Sequence, residues 1–321
     1  MSAYRSRVRG CLLGGAVGDA LGNPVEFHRD PAVTDLELSR DGLALITDDT
    51  QMTLFTVEGL LRSGGTDVPA SVYQAHLRWY DTQRFPGPPE HADGLAAQPF
   101  LYAQRAPGNA CLGGLALGRM GTFYHPANPD SKGCGSVMRS APFGLFPAVS
   151  AADAFALAAE CAVHTHGHPT GYLAAGTFAA IIRHLLDGDD VRTAAERAIG
   201  ILTTHDLHEE TLTALRRALD TPYAPGNTGI ERIGLGWIAE EALAMAVYAA
   251  LACEEPSRVR DALLVSVNHA GDSDSTGAIC GNLLGARHGE EALPTDWVNR
   301  LEGLDTITAI AGDLVEAKAW R

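Results

Sequence analysis

Glycine recurs at every fourth residue twice in this 321-residue chain: at Gly10, Gly14, Gly18 and Gly22, and again at Gly277, Gly281, Gly285 and Gly289. Both runs lie in helix-like sequence. A glycine inside a helix costs about 1 kcal/mol relative to alanine, so four on one face need compensation. Close approach of two helix backbones supplies it. In a bilayer such spacing marks a dimer seam, but both segments are too polar for that. The two glycine faces are therefore expected to pack on each other in the centre of the fold. The first run ends just before Glu26, and the second follows directly on Asp272-Ser-Asp-Ser-Thr276, so this packing would draw acidic groups together.

A second acidic cluster, Thr47-Asp-Asp-Thr50, lies more than two hundred residues from the first. Carboxylates mixed with hydroxyls are hard oxygen ligands suited to a magnesium-type cation. Four carboxylates brought together can hold two ions ~3.5–4 Å apart. Asp, Ser and Thr also cap helices and favour the first turn, and each cluster precedes a helix-like stretch. Capping and ligation are compatible, because a helix start can point side chains into a cleft. An EF-hand reading of Asp272, Asp274, Thr276 and Gly277 fails, because the twelfth loop position, where a glutamate belongs, is Leu283. A terpene-synthase-like reading of Asp48-Asp49 fails at Met52, where an acid belongs.

Helical periodicity runs through residues 8–21, 51–62, 70–80, 151–164, 171–187, 191–202, 207–219, 236–252, 258–267, 277–288 and 296–320, the last with a break near Gly312. Alternating β-type runs are few, and no β–α–β rhythm appears. The expected fold is all-α, with residues 1–321 forming one domain. Long Gly-, Pro- and Asn-rich connections lie at 85–98, 122–142 and 221–233. The net charge of −15 argues against broad nucleic-acid or anionic-membrane binding. Six cysteines (Cys11, Cys111, Cys134, Cys161, Cys253, Cys280) form no Cys-x-x-Cys pair and read as buried thiols. With no signal-like segment, a cytoplasmic location is expected.

Five motifs then stand out as a set: Gly14-Gly-Ala-Val-Gly-Asp-Ala-Leu-Gly22 with Glu26 beyond it, Thr47-Asp-Asp-Thr50, Gly135-Ser-Val-Met-Arg139, Thr165-His-Gly-His-Pro169 and Gly271-Asp-Ser-Asp-Ser275. Each is short, but their order and spread over most of the chain resemble the ADP-ribosylglycohydrolase family. That resemblance implies an orthogonal helical bundle carrying a binuclear centre of two Mg2+ or Mn2+. By matching position, the metal ligands would be Thr47, Asp48, Asp49, Asp272, Asp274 and Ser275, the last standing where the family usually has threonine. The implied reaction hydrolyses the ribose C1″ bond of an ADP-ribosylated protein or small molecule, most simply ADP-ribosyl-arginine, and releases ADP-ribose. The ions would hold ribose hydroxyls and lower the pKa of a bound water. Asp48 or Asp49 would act as general base, and Glu26 would serve in gating or acid/base work.

The stretch Lys132-Gly-Cys-Gly-Ser136 offers backbone N–H groups for a pyrophosphate. With Met138 and Arg139, this makes Gly133, Gly135 and Ser136 candidate ADP-ribose contacts, joined by His166 and His168. Two departures from the family pattern stand out. Cys134 occupies the place of a usual asparagine, and Ala106 falls near an aspartate used by the nitrogenase-regulating branch. Acceptors other than arginine (serine, acetyl ester, nucleic acid) are alternatives, as is an ADP-ribose-binding module without turnover.

Overall fold

The computed structural model describes residues 3–224, 226–252 and 254–317. Among them every regular element is helical, and the only β-type pairings are isolated bridges at Ala44–Leu301 and Gly133–Ile238. Helix α1 (Ala3–Gly22) runs antiparallel to α12 (Ser273–His288), and their glycine faces meet as the spacing predicted. The register is read from what a methyl group would strike. A Cβ on Gly18 would lie 2.0 Å from the Gly277 carbonyl oxygen, on Gly14 2.3 Å from that of Gly281, and on Gly22 2.3 Å from that of Ser273. No side chain fits at these crossings. Asn282 adds a fixed polar contact, donating its Nδ2 to the Cys11 carbonyl at 2.8 Å.

Around this seam stand α2 (Asp48–Ser63), α3 (Val68–Thr82), α6 (Ala151–Ala162), α7 (Pro169–Asp187), α8 (Val191–Leu202), α9 (Glu209–Asp220), α10 (Ala239–Ala252), α11 (Val259–Val267) and α14 (Leu304–Glu316). Helices α7 and α10 are buried along most of their length, as expected of helices apolar on nearly all sides. Their starts and stops follow local chemistry. Asp190 caps α8, and Ser150 caps α6 by accepting the Asp153 N–H at 3.1 Å. Gly64 and Gly188 close α2 and α7 in the left-handed conformation. No helix among the described residues is long and apolar enough to cross a membrane.

Several boundaries differ from the expected ones. Helix α10 begins at Ala239 rather than 236, because Gly236 sits at φ +81°. Helix α9 begins at Glu209, after Leu207 at φ +61°. The final stretch breaks at 299–303, with Gly303 at φ +69°, into α13 (Thr295–Val298) and α14; Gly312 lies inside α14, and residues 318–320 fall outside the described chain. Two short helices were not expected from periodicity, α4 (Asn109–Ala116) and α5 (Ala141–Leu145). Neither is long enough to show a repeat. Cys11, Cys111, Cys161 and Cys280 are buried free thiols, Cys134 is part-exposed, and Cys253 lies outside the described residues.

Candidate active site

Both acidic clusters are helix starts, so capping and clustering coincide. Thr47 caps α2, its Oγ1 accepting the Asp49 N–H at 3.3 Å, and Asp48 and Asp49 form the first turn. Asp272 caps α12, accepting the Ser275 N–H at 3.2 Å, and Asp274 lies in the turn above it. The glycine seam then sets the two starts side by side. Gly22 at the end of α1 touches Ser273, which carries Glu26 to the same place. Carboxylate oxygens of Glu26, Asp272 and Asp274 lie within 4.8 Å of one another.

Asp19, to which the sequence reading assigned no role, ties α1 to α2. Fully buried, it accepts the Thr47 N–H at 2.9 Å, the Thr50 N–H at 3.1 Å and the Thr50 hydroxyl. A carboxylate at a helix N-terminus is favourable, and here it fixes where Asp48 and Asp49 point. The available signal was an ionisable residue inside an otherwise buried glycine helix.

The clusters open into a cavity of about 310 Å³. Its acidic floor is Asp48, Asp49, Asp272, Asp274 and Ser275, with Glu26 and Phe27 at one side. The rest of the lining is the loop Ala106–Gly108 with the first turn of α4 (Asn109 and Ala110), Gly133–Gly135, Met138, His166 and Trp237. Among the described residues no lysine or arginine lines the cavity. Asp48 accepts the Gly108 N–H at 3.1 Å, whereas Asp49 Oδ2 is buried with no hydrogen-bond partner. Burial, and then the neighbouring carboxylates, push Glu26 up to about 8. Burial is also the main reason Asp48 is pushed up to about 7. Asp49 and Asp274 are raised for the same two reasons as Glu26. Five crowded carboxylates and an orphaned oxygen form a donor set that fits divalent cations.

The predicted ligand-contact residues divide. Gly133, Gly135, Met138 and His166 line the cavity; Ser136, Arg139 and His168 do not. Ser136 is buried and donates to the Gly171 carbonyl at 2.9 Å. His168 caps α7, accepting the Thr170 N–H at 3.2 Å. Arg139 is enclosed behind the wall, donating to Thr165 Oγ1 at 2.6 Å. Thr165 Oγ1 lies 2.8 Å from His166 Nδ1. Thr165 Oγ1 thus joins the Arg139 guanidinium to the His166 ring, and also lies 3.5 Å from the Ala162 carbonyl oxygen. Burial, reinforced by Arg139, holds His166 down at about 3, so it stays neutral. Arg139 therefore acts on the cleft indirectly, through Thr165 and His166 and through Cys111, to which it donates at 3.4 Å behind Gly108 and Gly135. The glycine segment also differs from the expected open cradle. The Cys134 N–H is spent on the Trp237 carbonyl at 3.2 Å, and Lys132 accepts from Ala239 N at 2.8 Å. Thr47 is buried beneath the floor rather than in the lining. Gly108, Phe27 and Trp237 join the cavity without any motif announcing them.

A family model for ADP-ribosylglycohydrolase matches residues 1–321. The chain belongs to the ADP-ribosylglycohydrolase family. The ADP-ribosyl-[dinitrogen reductase] glycohydrolase of Rhodospirillum rubrum is 27% identical, covering 97% of this chain and 98% of its own. The ADP-ribosylarginine hydrolase Tri1 of Pseudomonas putida (strain GB-1) is 26% identical over 97% of this chain and 78% of its own. The ADP-ribosylhydrolase ARH3 of Mus musculus is 25% identical over 96% and 91%. A solved structure titled ADP-ribosylglycohydrolase-related protein complex superposes with a TM-score of 0.73 at 25% identity, covering 99% of this chain and 100% of that one. The all-α fold is thus that of the ADP-ribosylglycohydrolases, and membership supports hydrolysis of ADP-ribosyl groups.

Proposed function

We propose that this ADP-ribosylglycohydrolase is a divalent-cation-dependent enzyme that hydrolyses the C1″ bond of ADP-ribosyl-arginine and releases ADP-ribose. The observation that carries the cation requirement is Asp49 Oδ2, buried and unpartnered among carboxylates, with no lysine or arginine among the described residues of the lining. Two Mg2+ or Mn2+ ions would be held by Asp48, Asp49, Asp272, Asp274 and Ser275, with Thr47 using the second lone pair of its capping hydroxyl. Bound there, they would supply polarisation of the ribose hydroxyls and of the attacking water. Arginine as acceptor is favoured by the likeness to the Pseudomonas putida ADP-ribosylarginine hydrolase.

The chain's own groups divide the remaining work. Asp48, with one oxygen held by the Gly108 N–H, orients the water at C1″. Glu26 stands at the side of the floor, placed for proton transfer or gating at the scissile bond. His166 presents a neutral imidazole to the ADP-ribose, held in place from behind by Thr165 and Arg139. Phe27 and Trp237, stacked with centroids 5.8 Å apart at 18°, give the cavity an exposed aromatic border against which a flat ligand group can pack.

The test is release of ADP-ribose from an arginine-ADP-ribosylated protein with Mg2+, with Mn2+ and with EDTA, beside an Asp48→Asn control. Release that needs both metal and Asp48 is the expected result. Metal-dependent ADP-ribose binding without release moves the acceptor to serine, ester or nucleotide linkages. If every acceptor stays intact, the hydrolase reading fails in favour of a binding module.

A further inference from the structure

The floor of the cleft is not purely oxygen. Cys134, carried on the loop wall, places its Sγ 2.7 Å from Asp272 Oδ2 and donates to it. It is the one described cysteine that is not buried, and it lines the cavity. Asp49 and Ser275 also face the thiol. Asp272 in turn stands within 4.8 Å of carboxylate oxygens of Glu26 and Asp274. The independent pointer to a ligand is Asp49 Oδ2, buried without a partner on the same floor.

We propose that Cys134 makes the Asp272 side of this cleft a site for a thiophilic divalent cation of the Zn2+ class, with sulfur and carboxylate oxygen as joint ligands. The proposal rests on the cation-binding reading of the cleft and adds what that reading does not contain, a soft donor. Zinc–sulfur and zinc–carboxylate bonds are ~2.3 Å and ~2.0–2.2 Å. Their sum exceeds the 2.7 Å between Cys134 Sγ and Asp272 Oδ2, so one ion can reach both once the pair spreads to the ~3.6 Å that a tetrahedral angle sets. A sulfur–oxygen pair from Cys134 and Asp272, completed by water, suits zinc or cadmium, whereas magnesium demands octahedral oxygen and keeps its waters. On binding, the S–H proton passes to solvent as the S–metal bond forms, so one proton is released at the thiol for each ion taken up. Such an ion would compete with Mg2+ or Mn2+ for Asp272, which gives the cleft a choice between two classes of metal.

The experiment titrates the full-length, metal-free protein with Cd2+, Zn2+ and Mn2+, following ultraviolet sulfur-to-cadmium charge transfer, proton release and melting temperature. The expected result is a charge-transfer band that saturates near one equivalent of Cd2+ and is absent from Cys134→Ser and Cys134→Ala. Both variants should bind Zn2+ at least about tenfold more weakly, yet keep Mn2+ affinity within about threefold. The Mn2+-induced melting shift then also shows that the variants fold; Cys134→Asn serves as a third if either does not. A wild-type protein without the band, or variants that keep it through other thiols, overturns the proposal. If Mn2+ still stabilises the wild type in that case, only thiol ligation fails. If no ion stabilises it, the cation reading of the cleft fails as well.

Discussion

The two sides of the cleft are built by different means. The acidic floor rides on the first turns of α2 and α12, held by backbone packed directly on backbone along the α1–α12 seam. The rest of the lining, the facing wall, is mostly loop, with only the first turn of α4, and is held by a few hydrogen bonds: Cys134 N to Trp237 O, Gly108 N to Asp48 Oδ2, and the Arg139–Thr165–His166 chain. Rigid helices suit groups that must converge on an ion within tenths of an ångström, and loops suit the groups that choose a substrate. The floor should therefore fail sharply when its support is altered, and the wall by degrees.

The largest effect is expected at the seam. Gly18→Ala places a methyl 2.0 Å from the Gly277 carbonyl oxygen, and Gly281→Ala places one 1.9 Å from that of Gly14. Neither clash is with a side chain that can turn away, so the helices must separate. Each variant should lose about 3 kcal/mol or more, read by denaturant titration. A loss below about 1 kcal/mol would show that the floor is not rigidly supported.

Next comes Asp49→Asn. It removes one of the crowded charges and should stabilise the metal-free protein, while abolishing the Mg2+- or Mn2+-induced rise in melting temperature and lowering turnover by about 10²–10³-fold. A retained metal shift would detach Asp49 from cation binding.

On the wall, Thr165→Val leaves the buried Arg139 donor and His166 Nδ1 without their shared partner. A cost of about 1–3 kcal/mol and a rise in KM for ADP-ribosylated substrate are expected, with Thr165→Ser restoring both. If Val and Ser behave alike, His166 is oriented by something other than this chain.

Acid should expose the same region. Burial, and then Arg139, hold His164 down at about 3, against about 6.5 for a free histidine. Between those values the unfolded chain binds the extra proton, so this group's stability contribution is present at neutral pH. It is lost as pH falls, by about 1.4 kcal/mol per pH unit. His164→Leu should remove one proton's worth of slope from stability measured between pH 6 and pH 4. An unchanged slope would mean that His164 does not stay neutral inside the fold.

The smallest effect should fall at Gly312, inside α14, where a Cβ would meet nothing within 4 Å. Gly312→Ala should gain about 0.5–1 kcal/mol. Its contrast with Gly18 separates a glycine that packing requires from one that it does not.

How legible these regions were in the sequence follows the same division. The floor could be read because its elements repeat. Glycine every fourth residue announces a close helix contact, and Asp, Ser and Thr ahead of apolar periodicity announce helix starts. The wall could be read only in part. Gly133, Gly135, Met138 and His166 line the cavity as their motifs suggested, but Arg139, Ser136 and His168 from the same motifs face elsewhere. A motif in a loop does not say which way its side chains turn. Asp19 was visible as a letter and not as a role, since its partners Thr47 and Thr50 lie about thirty residues away.

Composition and periodicity by themselves determined that this chain is helical, that two glycine faces pack, and that acidic groups cap two helices. All three follow from local properties: periodicity, side-chain volume and the orphan N–H groups of a helix start. Only the tertiary structure decided that the two starts share one cavity, that Asp49 keeps an unpartnered oxygen, that Arg139 acts from behind His166, and that a thiol meets Asp272. These depend on distances between residues 25 to more than 200 positions apart in the chain, which close packing sets and local sequence does not encode.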